Sequence, residues 1–181
     1  MDAREIIKSI YIDLPFDENV ELKDNELIWI DNFGGENSVS IKDIAFNEKS
    51  FAWWQCNSAG LDSVFLKLNP QILVNWKIPL NTMGQPSWGC QNIFFYKNYL
   101  IVKYKDKHSD RILFLNTNNL NIEEILTTSY YWKNIKLIEN VLYIWDRKGE
   151  ECIEVEIFEN KLERRITNLI NLNKAGINLE N

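Results

Sequence analysis

The hydrophobic and polar positions along this chain repeat one plan three times. Each copy reads as strand, short break, aromatic strand, polar loop, strand, tight turn and strand. Within the strands, apolar residues tend to fall at every second position, which is the spacing of a strand with one buried face. In residues 151–157, for example, Ile153, Val155 and Ile157 are expected to face inward, while the glutamates between them face water. The three copies span about residues 39–78, 92–126 and 132–167. The first is predicted to open with a strand over Val39–Phe46, and the second to contain a strand over Tyr99–Lys105.

The copies agree best at the turn of a central hairpin. Residues 96–101 (Tyr-Lys-Asn-Tyr-Leu-Ile) match residues 138–143 (Ile-Glu-Asn-Val-Leu-Tyr), and Asn98 and Asn140 occupy the same place. Residues 46–51 form a looser copy of this segment. Tandem antiparallel meanders of about 40 residues resemble the blades of β-propellers. Because roughly three and a half units are few for a closed ring, a curved meander sheet, a sandwich and a barrel stay open as alternatives.

The predicted fold is therefore a single all-β domain over residues 1–181, built from antiparallel four-stranded meander repeats in a propeller-like or sandwich arrangement. An N-terminal hairpin is predicted over residues 20–30. Before Pro15, the spacing of the isoleucines favours one short helix, although Ile10-Tyr11-Ile12 also fits an edge strand. Residues 168–181 carry weaker signals of order, so this tail is expected to fray.

The cysteines and the apolar runs bear on the compartment. Cys56, Cys90 and Cys152 are too widely spaced for a disulfide framework or a zinc site, which favours reduced thiols in a cytoplasmic protein. The N-terminus lacks the long apolar core of a signal peptide. No apolar run approaches the ~20 residues that a membrane helix needs. A cytoplasmic protein without a membrane partner is the expectation.

The charge is concentrated at one end of the chain. The net charge is −6, yet residues 1–48 hold twelve acidic and four basic residues, so this segment carries −8 and the remainder +2. An acidic end favours a basic partner and argues against nucleic acid. The segment Lys103-Tyr104-Lys105 mixes aromatic and cationic residues as single-strand binding sites do. Alternation, however, places both lysines on one face of the strand, which favours a solvated strand face.

No catalytic residue, metal ligand or cofactor site is predicted. His108, the single histidine, lies in a lysine-rich hairpin tip and is expected to be an exposed loop residue. Asp106 and Asp110 beside it lack the pattern of a calcium-binding loop. Gly34-Gly35 lacks the lysine and helix that follow a phosphate-binding loop. An enzyme with a spatially assembled pair of carboxylates stays open, and Glu36 and Asp62 are its candidate members.

The aromatic residues offer possible binding surfaces. Trp53 and Trp54 are adjacent in a strand and point to opposite faces, so one is expected in the core and the other at the surface or under a second layer. Trp88, Tyr131 and Trp132 lie in or beside connectors, where exposed rings act as interface anchors or as platforms for sugars. A glycan-binding module using Trp54, Trp88 and Tyr131 is one alternative function.

The small, acidic, motif-free character of the chain, rich in Asn, Ile and Lys, resembles bacterial immunity proteins of polymorphic or contact-dependent toxin systems. The resemblance implies a non-catalytic protein that covers the basic active site of a nuclease-like toxin with an acidic surface, so that charge complementarity speeds association. The residues predicted to contact this basic partner are Asp13, Asp17, Glu18, Asp24, Asp31, Glu36, Trp88 and Trp132.

Overall fold

The structure, a computed structural model, describes residues 21–23, 26–30, 33–40, 44–47, 50–56, 62–69, 72–77, 89–105, 110–127, 134–146 and 150–179. Its strands are β1 (Glu21–Lys23), β2 (Glu26–Ile30), β3 (Glu36–Ser40), β4 (Ile44–Phe46), β5 (Phe51–Cys56), β6 (Asp62–Asn69), β7 (Ile72–Lys77), β8 (Cys90–Tyr96), β9 (Tyr99–Lys105), β10 (Asp110–Asn116), β11 (Ile122–Thr127), β12 (Asn134–Ile138), β13 (Val141–Trp145), β14 (Cys152–Ile157) and β15 (Leu162–Thr167). A short helix, α1 (Leu169–Lys174), follows them.

The strands form four antiparallel meander sheets in chain order. Sheet 1 holds β1 to β3, sheet 2 holds β4 to β7, sheet 3 holds β8 to β11 and sheet 4 holds β12 to β15. Every pairing joins neighbours in sequence, from β1 with β2 to β14 with β15. The fold is therefore all-β and propeller-like, and the prediction of four-stranded meander repeats is confirmed.

The boundary between the N-terminal hairpin and the first repeat differs from the prediction. A single strand over Val39–Phe46 is wrong, because β3 closes sheet 1 whereas β4 opens sheet 2. The charged pair Lys42-Asp43 divides the apolar positions of this run into two sets. The predicted hairpin over residues 20–30 thus gains a third strand and becomes a sheet of its own.

Sheet 3 is buried on both faces. One face places Leu100 and Val102 in an apolar cluster with Trp54 of sheet 2. The opposite face places Tyr99 and Ile101 in a second cluster with residues of sheet 4. Because successive side chains of β9 alternate between two covered faces, the strand reads as one apolar run from Tyr99 through Val102, with each side chain fully buried.

Hydrogen bonds from the β8–β9 turn tie sheet 3 to sheet 4. The Tyr96 hydroxyl donates to the main-chain oxygen of Glu139 at 2.6 Å. Lys97 Nζ donates to the main-chain oxygen of Ile157 at 2.7 Å, and Asn98 Nδ2 donates to that of Glu159 at 2.9 Å. All three acceptors are main-chain carbonyls, so one turn is bonded to two turns of the next sheet.

The matched turns of sheets 3 and 4 place non-glycine residues in left-handed backbone. Lys97 has φ 50° and Glu139 has φ 54°. Each is the first residue of a two-residue turn, since Tyr96 pairs with Tyr99 and Ile138 pairs with Val141. An L-residue in this region costs roughly 1–2 kcal/mol, whereas glycine adopts it without that penalty.

Replacing Glu139 by glycine is expected to raise the free energy of unfolding by about 0.5–1 kcal/mol, because released backbone strain exceeds the entropy that glycine adds to the unfolded chain. The carbonyl that accepts from Tyr96 is retained. Urea denaturation would measure the change. Glu139→Ala, which removes the same side chain but keeps the strain, is the matched control, and equal effects of the two changes would contradict the assignment of strain.

The outer face of sheet 4, turned away from sheet 3, is apolar at one end and charged at the other. Tyr143, Trp145 and Cys152 are buried there. Glu154 and Glu156 follow along β14, half-buried and in ion pairs with Arg165 at 3.7 and 3.3 Å. On the inner face, the predicted inward positions 155 and 157 are fully buried, whereas position 153 is half-buried.

The C-terminal segment is part of the core. Asn168 is the N-cap of α1, and its side-chain oxygen accepts a hydrogen bond from the backbone N–H of Asn171 at 2.8 Å. Leu172 and Leu179 are only 4% and 5% exposed and belong to the cluster that includes Trp145. The predicted frayed tail is therefore wrong for residues 169–179, because the capped helix buries Leu172 and the residues that follow it bury Leu179.

Candidate functional site

One of the eight predicted contact residues lies within the described part of the chain. Glu36 is the first residue of β3 and is exposed. The other predicted residues lie outside the described residues, and they are Asp13, Asp17, Glu18, Asp24, Asp31, Trp88 and Trp132. The surroundings of Glu36 are therefore the part of the predicted acidic surface that lies within the described residues.

Glu36 stands at the loop end of the β2–β3 hairpin. Ile30 and Glu36 form the last pair of the ladder, and residues 31–35 connect them. Phe33, in this connection, is 98% exposed, and Ile30 is 38% exposed. Gly34 has φ 81°, a left-handed conformation that favours glycine, and open space surrounds the position of its missing Cβ. We call Ile30, Phe33 and Glu36 the hairpin tip.

The hairpin tip combines an apolar anchor with negative charge. A phenylalanine ring can bury 150–250 Å² when a partner covers it, and such rings are enriched at the centres of interfaces. Asp31 and Glu36 flank Phe33 in sequence. The tip is thus suited to a protein surface that offers an apolar hollow with basic groups around it.

Phe33 is the residue that the sequence interpretation missed. The loop from Asp31 to Asn37 is marked by two adjacent glycines, and it contains a single aromatic residue. The reasoning applied to Trp88, that an aromatic residue in an irregular connector anchors an interface, applies equally to Phe33. The signal was present, but a phenylalanine in a strand-rich chain is more often assigned to the core.

The adjacent tryptophans of β5 do not form a surface platform. Trp53 is 1% exposed and Trp54 is 4% exposed. The Trp54 ring lies against the ring of Tyr104, with centroids 5.3 Å apart and planes tilted by 38°. Both faces of β5 are therefore covered at this point, and Trp54 is not available to stack on a sugar. Trp88 and Tyr131, the other residues of that alternative, lie outside the described residues.

Lys103 is buried, so the prediction of a solvated lysine face is wrong at this position. Lys103 and Asp110 are 4% and 3% exposed, and Lys103 Nζ lies 3.3 Å from Asp110 Oδ2. Lys103 Nζ also donates to Gln91 Oε1 at 2.7 Å. Lys103 shares the covered face of β9 with Tyr99 and Ile101. Its ammonium group therefore forms an ion pair inside the protein and is not available to bind a nucleic-acid phosphate.

A polar cluster closes the β10–β11 turn. The Tyr99 hydroxyl donates to Glu123 Oε2 at 2.7 Å, and Asn116 Nδ2 donates to Glu123 Oε1 at 2.6 Å. Burial, followed by this carboxylate, raises the pKa of Tyr99. Burial opposes ionisation of Glu123, but the hydrogen bonds from Tyr99 and the asparagines outweigh it and lower the pKa of Glu123. The charged Glu123 holds the turn in place.

The carboxylates proposed for a hydrolytic pair belong to different sheets. Glu36 begins β3 of sheet 1, whereas Asp62 begins β6 of sheet 2. Within the described ranges, no three histidine, cysteine or acidic side chains are grouped so that they could hold a metal ion. His108 lies outside those ranges. None of the described helical residues forms a helix long and apolar enough to span a membrane.

No protein-family model and no curated protein matches the chain. A solved β-propeller domain of the Trilobed protease from Pyrococcus furiosus, described as an open velcro topology, is 8% identical with a TM-score of 0.45, over 80% of this chain and 49% of that one. Two structures of AztD from Citrobacter koseri are each 10% identical, with TM-scores of 0.29 and 0.28. They are matched over 81% and 83% of this chain and 57% and 59% of theirs. The chain thus spans less than two thirds of each structure.

Proposed function

We propose that this chain is a non-catalytic binding protein that neutralises a basic protein, in the manner of bacterial immunity proteins. The observation that carries the proposal is the hairpin tip, where Phe33 is 98% exposed at the acidic end of the chain. A large exposed ring is costly to keep in water, and rings of this kind mark interaction sites when polar groups surround them.

Charge supports the choice of a basic partner. Residues 1–48 carry −8, and sheet 1 lies within this segment. A surface of one sign attracts a partner of opposite sign over several ångströms and raises the association rate. A nuclease-like toxin has the basic cleft that such a surface would cover, so occlusion of that cleft is the proposed mechanism.

The packing of the other sheets supports a scaffold role for them. Sheet 3 is covered on both faces. Hydrogen bonds and ion pairs within the protein engage its buried Lys103, Glu123 at the β10–β11 turn and the side chains of the β8–β9 turn. A rigid scaffold that carries a hairpin tip holds that tip ready for binding, which lowers the entropy lost on association.

Phe33→Ala is expected to raise the dissociation constant for the partner about thirtyfold, which corresponds to the ~2 kcal/mol of an interface hot spot. The partner is the basic protein that is recovered with the tagged chain from its native host at low salt and released at high salt. Titration calorimetry with the purified pair measures the change. Thr127→Ala, an exposed change on sheet 3, is the control and should leave affinity unchanged.

Neutralisation also requires an effect on the partner's activity. The recovered protein is assayed with and without this chain, and with a variant that carries Asp17→Lys and Glu18→Lys. Full inhibition by the parent chain, and weaker, less salt-sensitive inhibition by the variant, is the expected result. A partner that binds tightly but keeps its full activity would overturn neutralisation while leaving protein binding intact.

A further inference from the structure

The large exposed hydrophobic residues of the described chain occur at two places. Ile30 and Phe33, 38% and 98% exposed, belong to the hairpin tip of sheet 1. Ile166 and Ile170, 67% and 65% exposed, lie in β15 of sheet 4 and in α1. Sheets 1 and 4 are the first and last of the series, and sheets 2 and 3 lie between them in the chain. Both ends of this repeat series therefore present apolar surface to water.

The segment of β15 and α1 is locally basic, in contrast to the N-terminal segment. Residues 1–48 carry −8, whereas residues 161–179 contain four basic residues and one acidic residue, a net charge of +3. Arg164 lies 3.4 Å from Glu124, yet its side chain is 53% exposed. An ion pair at such an exposed site is weak, so the guanidinium can accept a further carboxylate.

Arg164 and Ile166 share one face of β15, because they are two residues apart on a strand. We call Arg164 and Ile166 the C-terminal patch. Like the hairpin tip, it places an apolar residue beside a charge, but the charge is of opposite sign.

We propose that the hairpin tip of one copy docks on the C-terminal patch of a second copy. When two copies contact each other reciprocally in this way, both exposed ends of both chains are covered and the assembly closes as a dimer. Phe33 would lie on Ile166, and Glu36 beside Arg164. The contact pairs the two apolar surfaces and the two opposite charges at once.

A symmetric pairing of β15 with β15 is disfavoured. Antiparallel pairing about the centre of Leu162–Thr167 would place Arg164 of one copy opposite Arg165 of the other. Like charges directly opposite each other destabilise a strand pair, and charged edge strands are a common protection against such pairing. The acidic tip meets no such penalty, so the reciprocal contact of hairpin tip and C-terminal patch is expected instead.

This inference does not rest on the proposed function, although it uses the same hairpin tip. A basic partner and a second copy would compete for Phe33 and Glu36. The test therefore uses the purified full chain alone, and its result is independent of any toxin.

Sedimentation velocity of the full chain, up to roughly 100 μM so that a dissociation constant near 10⁻⁴ M is visible, is the experiment. We expect a monomer–dimer equilibrium that weakens with salt. Glu36→Arg and Arg164→Glu are each expected to raise the dimer dissociation constant about tenfold. An equimolar mixture of the two variants should recover the parent affinity, because both of its contacts again join opposite charges.

Lys174→Glu is the control, since it reverses a charge of the same segment outside the patch and should leave the equilibrium within about twofold of the parent. Circular dichroism establishes that each variant is folded. A chain that stays monomeric throughout, or a dimer that Glu36→Arg does not weaken, would overturn the inference. So would a mixture that is no tighter than the separate variants, because mixing restores opposite charges in a contact between hairpin tip and C-terminal patch.

Discussion

Asp110→Leu is expected to lower the free energy of unfolding by about 3 kcal/mol, the largest loss expected from a single charged residue of the described chain. The change leaves the ammonium of Lys103, which is 4% exposed, without the carboxylate that lies 3.3 Å away. Gln91 offers only one neutral oxygen to that ammonium. Because a buried charge that loses its counter-ion keeps its desolvation penalty, the loss exceeds that of any surface ion pair. Urea denaturation of both proteins measures it.

The double variant Lys103→Met with Asp110→Leu distinguishes the contribution of the ion pair to stability from the contribution of the packing around it. Replacing both charges by apolar side chains of similar volume is often neutral or stabilising, so most of the loss should be recovered. The control is the exposed pair Arg164 and Glu124, where Glu124→Leu should cost less than about 1 kcal/mol. A double variant as unstable as the single one would show that shape, not charge, governs this position.

Leu172→Ala is expected to cost about 2–3 kcal/mol of unfolding free energy, because the leucine is 4% exposed within the cluster that contains Trp145. The size of the effect distinguishes a docked helix from a frayed tail, for which the same change would cost almost nothing. Urea denaturation followed by tryptophan fluorescence is the measurement.

Ile170→Ala is the matched control, since Ile170 lies in the same helix but is 65% exposed. It removes a side chain of equal volume and changes helix propensity in the same direction. We expect a change within about 0.5 kcal/mol. An equal loss of unfolding free energy at both positions would mean that the substitutions act on the stability of the helix itself and not on its packing against the core.

The strands were largely predictable because two local signals coincide. Apolar residues, alternating in β14 and continuous in β9, define the strands, and polar turns separate them, so β9 was predicted with both of its ends, Tyr99 and Lys105, in place. The error at Val39–Phe46 arose where no turn signal separates two strands that belong to different sheets. Local pattern predicts strands, but it does not assign them to sheets.

Burial was less predictable, because alternation gives the face of a side chain and not what covers that face. Lys103 was assigned to a solvated face, yet that face of sheet 3 is covered and the charge is met by Asp110. Trp54 was left as a surface candidate for the same reason. In the tail, five asparagines lowered the helical signal, although one of them, Asn168, serves as the cap that starts the helix.

The candidate site was predictable in part. Glu36 was named from its charge, and the structure places it at an exposed hairpin end. Phe33 was missed, since sequence does not distinguish an aromatic residue that is held outward from one that turns into the core. The remaining acidic residues lie outside the described residues, so the prediction that they share one surface stays a prediction.

The turn that ties sheet 3 to sheet 4 bears on how repeats of this kind can diverge. Tyr96, Lys97 and Asn98 all donate to main-chain carbonyls of the next sheet. A carbonyl is supplied by any amino acid, so these three bonds survive a change of side chain in the accepting turns, whereas a further bond from Asn98 to Glu159 Oε2 at 3.2 Å does not. The matched turns of sheets 3 and 4 accordingly both contain asparagine, Asn98 and Asn140, but share few other residues. A turn of this kind can therefore hold a neighbouring sheet whose turn sequences differ from its own.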